Sequence, residues 1–187
     1  YAGDARYFEK LGVDARFGVR GTRLDPETHL LSLSDGTIIE FDDLLLATGD
    51  LVHDASPEGY AKMAEILSSF GVPVLCLPGN HDVPSVMRQH LSAKQVHTDT
   101  IRDFGAWRFI MLDSVIPGAD GGRLQAEQLA QMQEALSSSD RPTLVCMHHQ
   151  PIHIGSAWID TMAIDNPDPL FEIIDRGRIR GIFINSN

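Results

Sequence analysis

The sequence predicts an α/β domain with a mostly parallel central sheet, entered through an N-terminal β-meander. Three observations point there. From residue 57 onward, short apolar runs of strand length alternate with amphipathic helical segments. The first 45 residues are instead turn-rich and read as short strands. The chain's 187 residues, 43% hydrophobic and 22% charged, suffice for one domain with a real core.

In chain order, residues 12–16 lead into the meander. Asp25-Pro26-Glu27-Thr28 reads as a turn. Residues 30–33 and 37–41 flank Ser34-Asp35-Gly36, a hairpin signal because Gly accepts positive φ. Residues 44–48 form an apolar strand, and the change of style sets a boundary there: a meander over 1–45 and a second domain over 46–187. Tyr60, Met63, Ile66, Leu67 and Phe70 recur at helical spacing, with Gly71 as the stop. Residues 73–77 are a buried strand and 84–91 a helix. Residues 107–112 are a strand ending at Asp113. Leu124, Leu129, Met132 and Leu136 mark a third helix, and 143–147 the next strand. Residues 170–176 are helical and 181–184 begin a last strand. Strands separated by helices of about ten residues imply parallel pairing. Trp107 and Trp158 are expected to pack.

The net charge of −11 argues against a general nucleic-acid binder, which needs a basic surface to displace counterions. An anionic substrate would need local positive charge, most simply bound metal. No run reaches transmembrane length and no signal peptide is seen, so no membrane partner and a cytoplasmic location are expected. Cys76 and Cys146 lie inside apolar runs and read as reduced core thiols. A start at Tyr1 rather than Met suggests a fragment or a processed chain.

Three stretches place ligand-type side chains at the carboxyl end of an apolar strand, where sites form in open α/β sheets. The first is Thr48-Gly49-Asp50, in which Gly allows a sharp turn and Asp50 projects from the sheet edge; a helix-capping Asp is the bland alternative. The second is Pro78-Gly79-Asn80-His81-Asp82. The Asn80 amide oxygen is a hard ligand, His81 can donate a proton or hold a phosphate oxygen, and Asp82 can orient that imidazole. The third is His148-His149-Gln150-Pro151, imidazoles suited to transition metals. Adjacent strand residues face opposite sides, so one of the two histidines faces the site. His53 and Asp54, next to Asp50, are candidates for lining a substrate pocket.

Together these stretches resemble the calcineurin-like metallophosphoesterase superfamily, most closely its class III cyclic-nucleotide phosphodiesterases and their glycerophosphodiesterase relatives. The similarity runs from about Leu46 to Gly181 and takes in Asp54, Leu112-Asp113-Ser114 and Ser156-Ala157-Trp158-Ile159-Asp160. It implies an α/β sandwich and a small phosphodiester substrate, clamped by two divalent ions (Mn²⁺, Fe²⁺ or Zn²⁺). Asp50 would bridge the ions. Asn80 and one of the paired histidines would bind the second ion. His149 is favoured because it stands two before Pro151, as the ligand does in the family. His148 then joins His53 and Asp54 toward substrate, and His81, oriented by Asp82, would stabilise the transition state or protonate the leaving oxygen.

The family's opening Asp-x-His is absent, and Asn185-Ser186-Asn187 stands where Gly-His-x-His is expected. The expectation is an incomplete sandwich with one weak metal site at most and little turnover. A non-catalytic scaffold is the alternative. The last strand would leave an exposed sheet edge open to self-association. Residues 1–49, including Phe17-Gly18-Val19-Arg20 and Leu24-Asp25-Pro26, resemble a segment of FAD-dependent ferredoxin-reductase-type enzymes. That suggests a joined sequence, or a reductase fragment as a further alternative. With no Gly-x-Gly-x-x-Gly, neither FAD nor NAD is expected to bind.

Overall fold

The computed structural model describes residues 20–25, 28, 30–40, 44–91, 93, 95–174 and 179–184. The chain divides into two compact units, residues 1–43 and 44–187.

In the first unit β1 (Gly21–Asp25), β2 (Leu30–Leu33) and β3 (Ile38–Glu40) form an antiparallel meander in that order. Gly36 turns the β2–β3 hairpin with φ 84°, and the Asp35 carboxylate accepts from the Thr37 N–H at 2.9 Å. Residues 12–16, Phe17-Gly18-Val19 within the reductase-like stretch, Pro26, Glu27 and residue 41 of the expected second hairpin strand lie outside the described residues.

The second unit is a two-sheet sandwich flanked by helices. One sheet is parallel, in the order β4 (Leu45–Thr48), β5 (Val74–Leu77), β6 (Val96–His97). The other runs β10 (Ile179–Ile184), β9 (Thr143–Met147), β8 (Trp107–Leu112), β7 (Ile101–Phe104). Its strands pair in parallel except β7–β8, an antiparallel hairpin turned at Gly105. The sheets face one another across Leu75 and Leu77 of β5, Phe109 and Met111 of β8, and Cys146 of β9. The alternate residues point outward. Val74 and Cys76 pack under α1 (Pro57–Ser69) and α2 (Pro84–His90). Ile110, Leu112, Val145 and Met147 pack under α3 (Ala126–Ser137) and α4 (Asp168–Ile174). Both faces of β5 are covered, so all four of its residues are buried, as a continuous apolar run predicts.

Some expectations need correcting. The buried stripe of α1 is Tyr60, Ala64 and Leu67, while Ile66 and Phe70 are exposed. The sheet covers a narrower arc of the helix than its apolar content suggests. Trp107 and Trp158 are 40% and 66% exposed rather than packed in the core. The short β6 and the β7 strand, whose Arg102 and Asp103 are exposed, carry too little apolar signal to be read from sequence. Cys76 and Cys146 are buried and unpaired, and burial pushes both thiols up to about 12.

Candidate metal centre

The site is built where β4, β5 and β9 end. After β4 the backbone turns through Gly49 (φ 108°) and then Asp50, itself left-handed at φ 54°. A side chain rarely tolerates that region without support. Here the Asp50 carboxylate is held in place, because Oδ1 accepts from the His81 N–H at 3.0 Å. A Cβ on Gly79 would overlap both Asp50 and the His148 ring, and a Cβ on Gly49 would overlap His148 Nδ1. The bare backbone at these two positions makes the cradle.

His148 reaches into that cradle. Its Nδ1 lies 3.1 Å from the Thr48 carbonyl, which can only accept, so Nδ1 carries a hydrogen and a neutral ring would turn the Nε2 lone pair into the cradle. Nε2 stands 3.1 Å from Asn80 Oδ1 and 3.6 Å from Asp50 Oδ2. With the ring neutral, a carboxylate oxygen, an amide oxygen and an imidazole nitrogen converge, an arrangement that suits a cation. Donors on one tetrahedral or octahedral ion with bonds of ~2.1 Å stand about 3.0–3.4 Å apart, close to the spacing seen. A carboxylate, an amide oxygen and an imidazole backed by a carbonyl suit Mn²⁺, Fe²⁺ or Zn²⁺. Among the described residues no group of three His, Cys, Asp or Glu side chains is placed to hold a metal; the Asn80 amide oxygen could supply a third donor beside Asp50 and His148.

His149 does not stand with Asp50 and Asn80. Its Nε2 donates to the Asp120 carbonyl at 3.1 Å and its Nδ1 accepts from the Ser114 hydroxyl at 2.7 Å. Both ring nitrogens are occupied. Burial, and next the neighbouring His148, lower its pKa to about 4. Gly122 packs so closely on the ring that a Cβ there would overlap it. It is His148 that stands beside Asp50 and Asn80, and strand parity gives the reason. Even-numbered positions of β9, such as Cys146, face the other sheet, whose ends carry Asp50 and Asn80. Val145 and Met147 face the helices, and His149 continues that side. The sequence shows that the two rings face opposite sides, and only the packing of β9 shows which side meets Asp50 and Asn80.

Asp82 also differs from expectation. It is 3% exposed, and its oxygens accept from the N–H groups of Leu51, Val52 and Gly79 and from the Tyr60 hydroxyl at 2.8 Å. The carboxylate thus staples the loop after β4 to the loop after β5, and no hydrogen bond joins it to the His81 imidazole. Tyr60 completes the staple by accepting from the Val83 N–H at 3.1 Å. The role of Tyr60, missed from sequence, is hidden in an ordinary helical stripe.

Of the remaining candidates, His81 is exposed beside the cradle and His53 lies against it, with ring centroids 5.0 Å apart. Asp54 turns away and accepts from the backbone N–H and hydroxyl of Ser56, the N-cap of α1. Those bonds hold its carboxyl below the usual range. Asp113, at the end of β8, pairs with Arg88 at 3.5 Å, and burial raises its pKa.

The comparisons fit this geometry. A family model for calcineurin-like phosphoesterases matches residues 28–182. The chain is 37% identical over 133 residues to a 3',5'-cyclic adenosine monophosphate phosphodiesterase CpdA of Pseudomonas aeruginosa, covering 71% of this chain and 48% of the relative. It is 38% identical over 135 residues to a 3',5'-cyclic-nucleotide phosphodiesterase, alr5338, of Nostoc sp., covering 72% and 51%. The chain thus spans about half the length of the curated relatives it matches. The solved structure of TT1561 of Thermus thermophilus shares the fold, with a TM-score of 0.52 at 17% identity over 76% of this chain and 68% of that one. The reductase resemblance of residues 1–49 gains no support, since the family model takes in residues 28–49 as phosphoesterase sequence. With the model matching most of the chain, the two-sheet sandwich and the sheet-end cradle have one common explanation: the chain belongs to the calcineurin-like phosphoesterase family.

Proposed function

We propose that this chain carries the central part of a metal-dependent phosphodiester hydrolase site whose substrates are 3',5'-cyclic nucleotides. The observation that carries the reading is the convergence of Asn80 Oδ1 and Asp50 Oδ2 on His148 Nε2, at 3.1 and 3.6 Å. The named activities of the relatives favour cyclic nucleotides over glycerophosphodiesters. In this reading Asp50 Oδ2, Asn80 Oδ1 and His148 Nε2 hold a divalent ion, which when bound supplies Lewis-acid polarisation of a phosphoryl oxygen. His148, not His149, is the imidazole ligand. Thr48 fixes the tautomer of His148 through its carbonyl. The exposed His81 faces the substrate, where its ring can give a proton to the leaving oxygen. Asp82 is a positioning residue that holds both ligand loops, and His149 is a structural one. Neither FAD nor NAD belongs to this site. The buried, unpaired thiols support a cytoplasmic location. Among the described residues, no helix is long and apolar enough to cross a membrane. Self-association along β10 is also part of the proposal.

Calorimetric titration with Mn²⁺, alongside Mn²⁺-dependent hydrolysis of 3',5'-cyclic AMP, tests this reading. Asp50→Ala and His148→Ala are expected to weaken Mn²⁺ by more than about tenfold, since even outer-shell changes at metal sites cost that much. His149→Ala is expected to melt at a lower temperature yet keep its Mn²⁺ affinity within a few-fold. Unchanged affinity in the first two variants, or loss confined to His149→Ala, would overturn the assignment.

A further inference from the structure

The loop between β4 and α1 adopts a conformation that its own residues do not favour. Asp50 (φ 54°) and Ala55 (φ 48°) are the two non-glycine residues with positive φ among those described, and they stand at its two ends. Such conformations cost of order 1–3 kcal/mol each and persist only where surrounding contacts impose them. The contacts here are specific. The Leu51 and Val52 N–H groups are fixed on the buried Asp82 carboxylate, and the Ala55 N–H closes a turn onto the Val52 carbonyl at 3.1 Å. The strain does nothing for core burial at residue 53, because His53 itself is exposed. It does place the imidazole of His53 against that of His81, with ring centroids 5.0 Å apart and planes tilted by 40°. His81 is fixed in turn, since its N–H donates to Asp50. Two exposed imidazoles therefore stand side by side at the mouth of the cradle, on loops that one buried carboxylate ties together.

We propose that His53 is a second substrate-binding imidazole, which acts with His81 as a two-ring clamp on the non-bridging oxygens of the substrate phosphate. Each ring supplies an N–H donor, and a pair of donors on adjacent oxygens fixes the rotation of the phosphate as a single ring cannot. Asp54 and Ser56 act as positioning residues, because their mutual hydrogen bonds set the far end of the loop. The proposal rests on the reading of Asp50, Asn80 and His148 as the metal cradle.

The test uses the whole chain and inorganic phosphate as the probe, titrated calorimetrically in the presence of Mn²⁺. The wild type, His53→Ala, His53→Gln and Asp50→Ala are compared, and the KM and kcat for 3',5'-cyclic AMP are read in parallel. His53→Ala is expected to weaken phosphate by about tenfold, the usual consequence of losing one hydrogen bond to a charged group. The same variant should raise KM by a similar factor and leave Mn²⁺ affinity unchanged. His53→Gln, which keeps an N–H donor, is expected to recover part of the loss, which a merely structural role for the ring would not give. Phosphate affinity in His53→Ala equal to that of the wild type, with Asp50→Ala weakened, overturns the clamp and leaves the cradle standing. No phosphate binding by the wild type overturns both.

Discussion

Gly79 has no room for a methyl group. A Cβ there would run into Asp50 Oδ1 and the Asp50 backbone nitrogen, and would also crowd the His148 ring. Neither the strand-end backbone nor the staple from Asp82 lets these atoms retreat. Gly79→Ala is therefore expected to destabilise the fold by about 1–3 kcal/mol, the usual range for overpacking a tight site. For a chain of this size that lowers Tm by roughly 2–4 °C per kcal/mol. Mn²⁺ affinity should fall with it, because the clash displaces the Asp50 carboxylate, the proposed ligand. Thermal denaturation and a Mn²⁺ titration of the same variant check both, and an unchanged Tm would show that the loops adapt. Residue chemistry alone singles out Gly79, Asn80 and His81 as candidates, because Pro-Gly-Asn-His-Asp follows an apolar strand, and the structure sets them beside Asp50. That chemistry could not announce Asp82 as a staple. The same carboxylate could orient an imidazole or accept backbone N–H groups, and only its surroundings decide.

At the scale of elements, the β7–β8 hairpin shows how an inconspicuous strand is held. Arg108 donates to both carboxylate oxygens of Asp103, Nε to Oδ1 at 2.7 Å and Nη2 to Oδ2 at 2.9 Å. Its third nitrogen donates to the Ala135 carbonyl in α3 at 2.7 Å. Arg141 adds a weaker contact to Asp103 at 3.4 Å. The hydrogen bonds from Arg108, more than any other influence, hold the Asp103 carboxyl below its ordinary value of 3.8. The folded-state pKa is depressed, so this contribution to stability is complete above about pH 4 and is lost as the pH falls through the depressed value. Asp103→Asn should remove that part of the acid sensitivity. Urea unfolding at a series of pH values between neutral and acid is expected to show a shallower decline for the variant, and parallel declines would show that the pair contributes nothing. The strand β9 carries a different lesson. Its apolar run is legible at once, but which of His148 and His149 enters the site depends on which face of β9 meets the other sheet.

For the whole molecule, the two sheets bring three strand ends to one place. Asp50 and Asn80 belong to one sheet and His148 to the other, so the cradle exists only while the sandwich core between them holds. Among the described residues, β10 pairs on one side only, and its Phe183 and Ile184 are 49% and 40% exposed. An apolar edge of this kind is a template for pairing. Sedimentation across a range of protein concentrations is expected to show association that Phe183→Lys reduces, and a concentration-independent monomer would remove the edge from the proposal.

The strand–helix alternation, the hairpin at Gly36, the burial of both cysteines and the polar stretches closing three apolar strands are all legible in the sequence. Each of these rests on local pattern: a period of two or of about 3.6 residues, a glycine where positive φ is required, or a polar cluster closing an apolar run. The rest appears only in the folded chain. Folding set His148 rather than His149 beside Asp50 and Asn80, made Asp82 and Tyr60 a staple and set His53 against His81. All three are relations between segments distant in sequence, fixed by which sheet face meets which and by the loops those sheets bring together, and no local pattern encodes that facing.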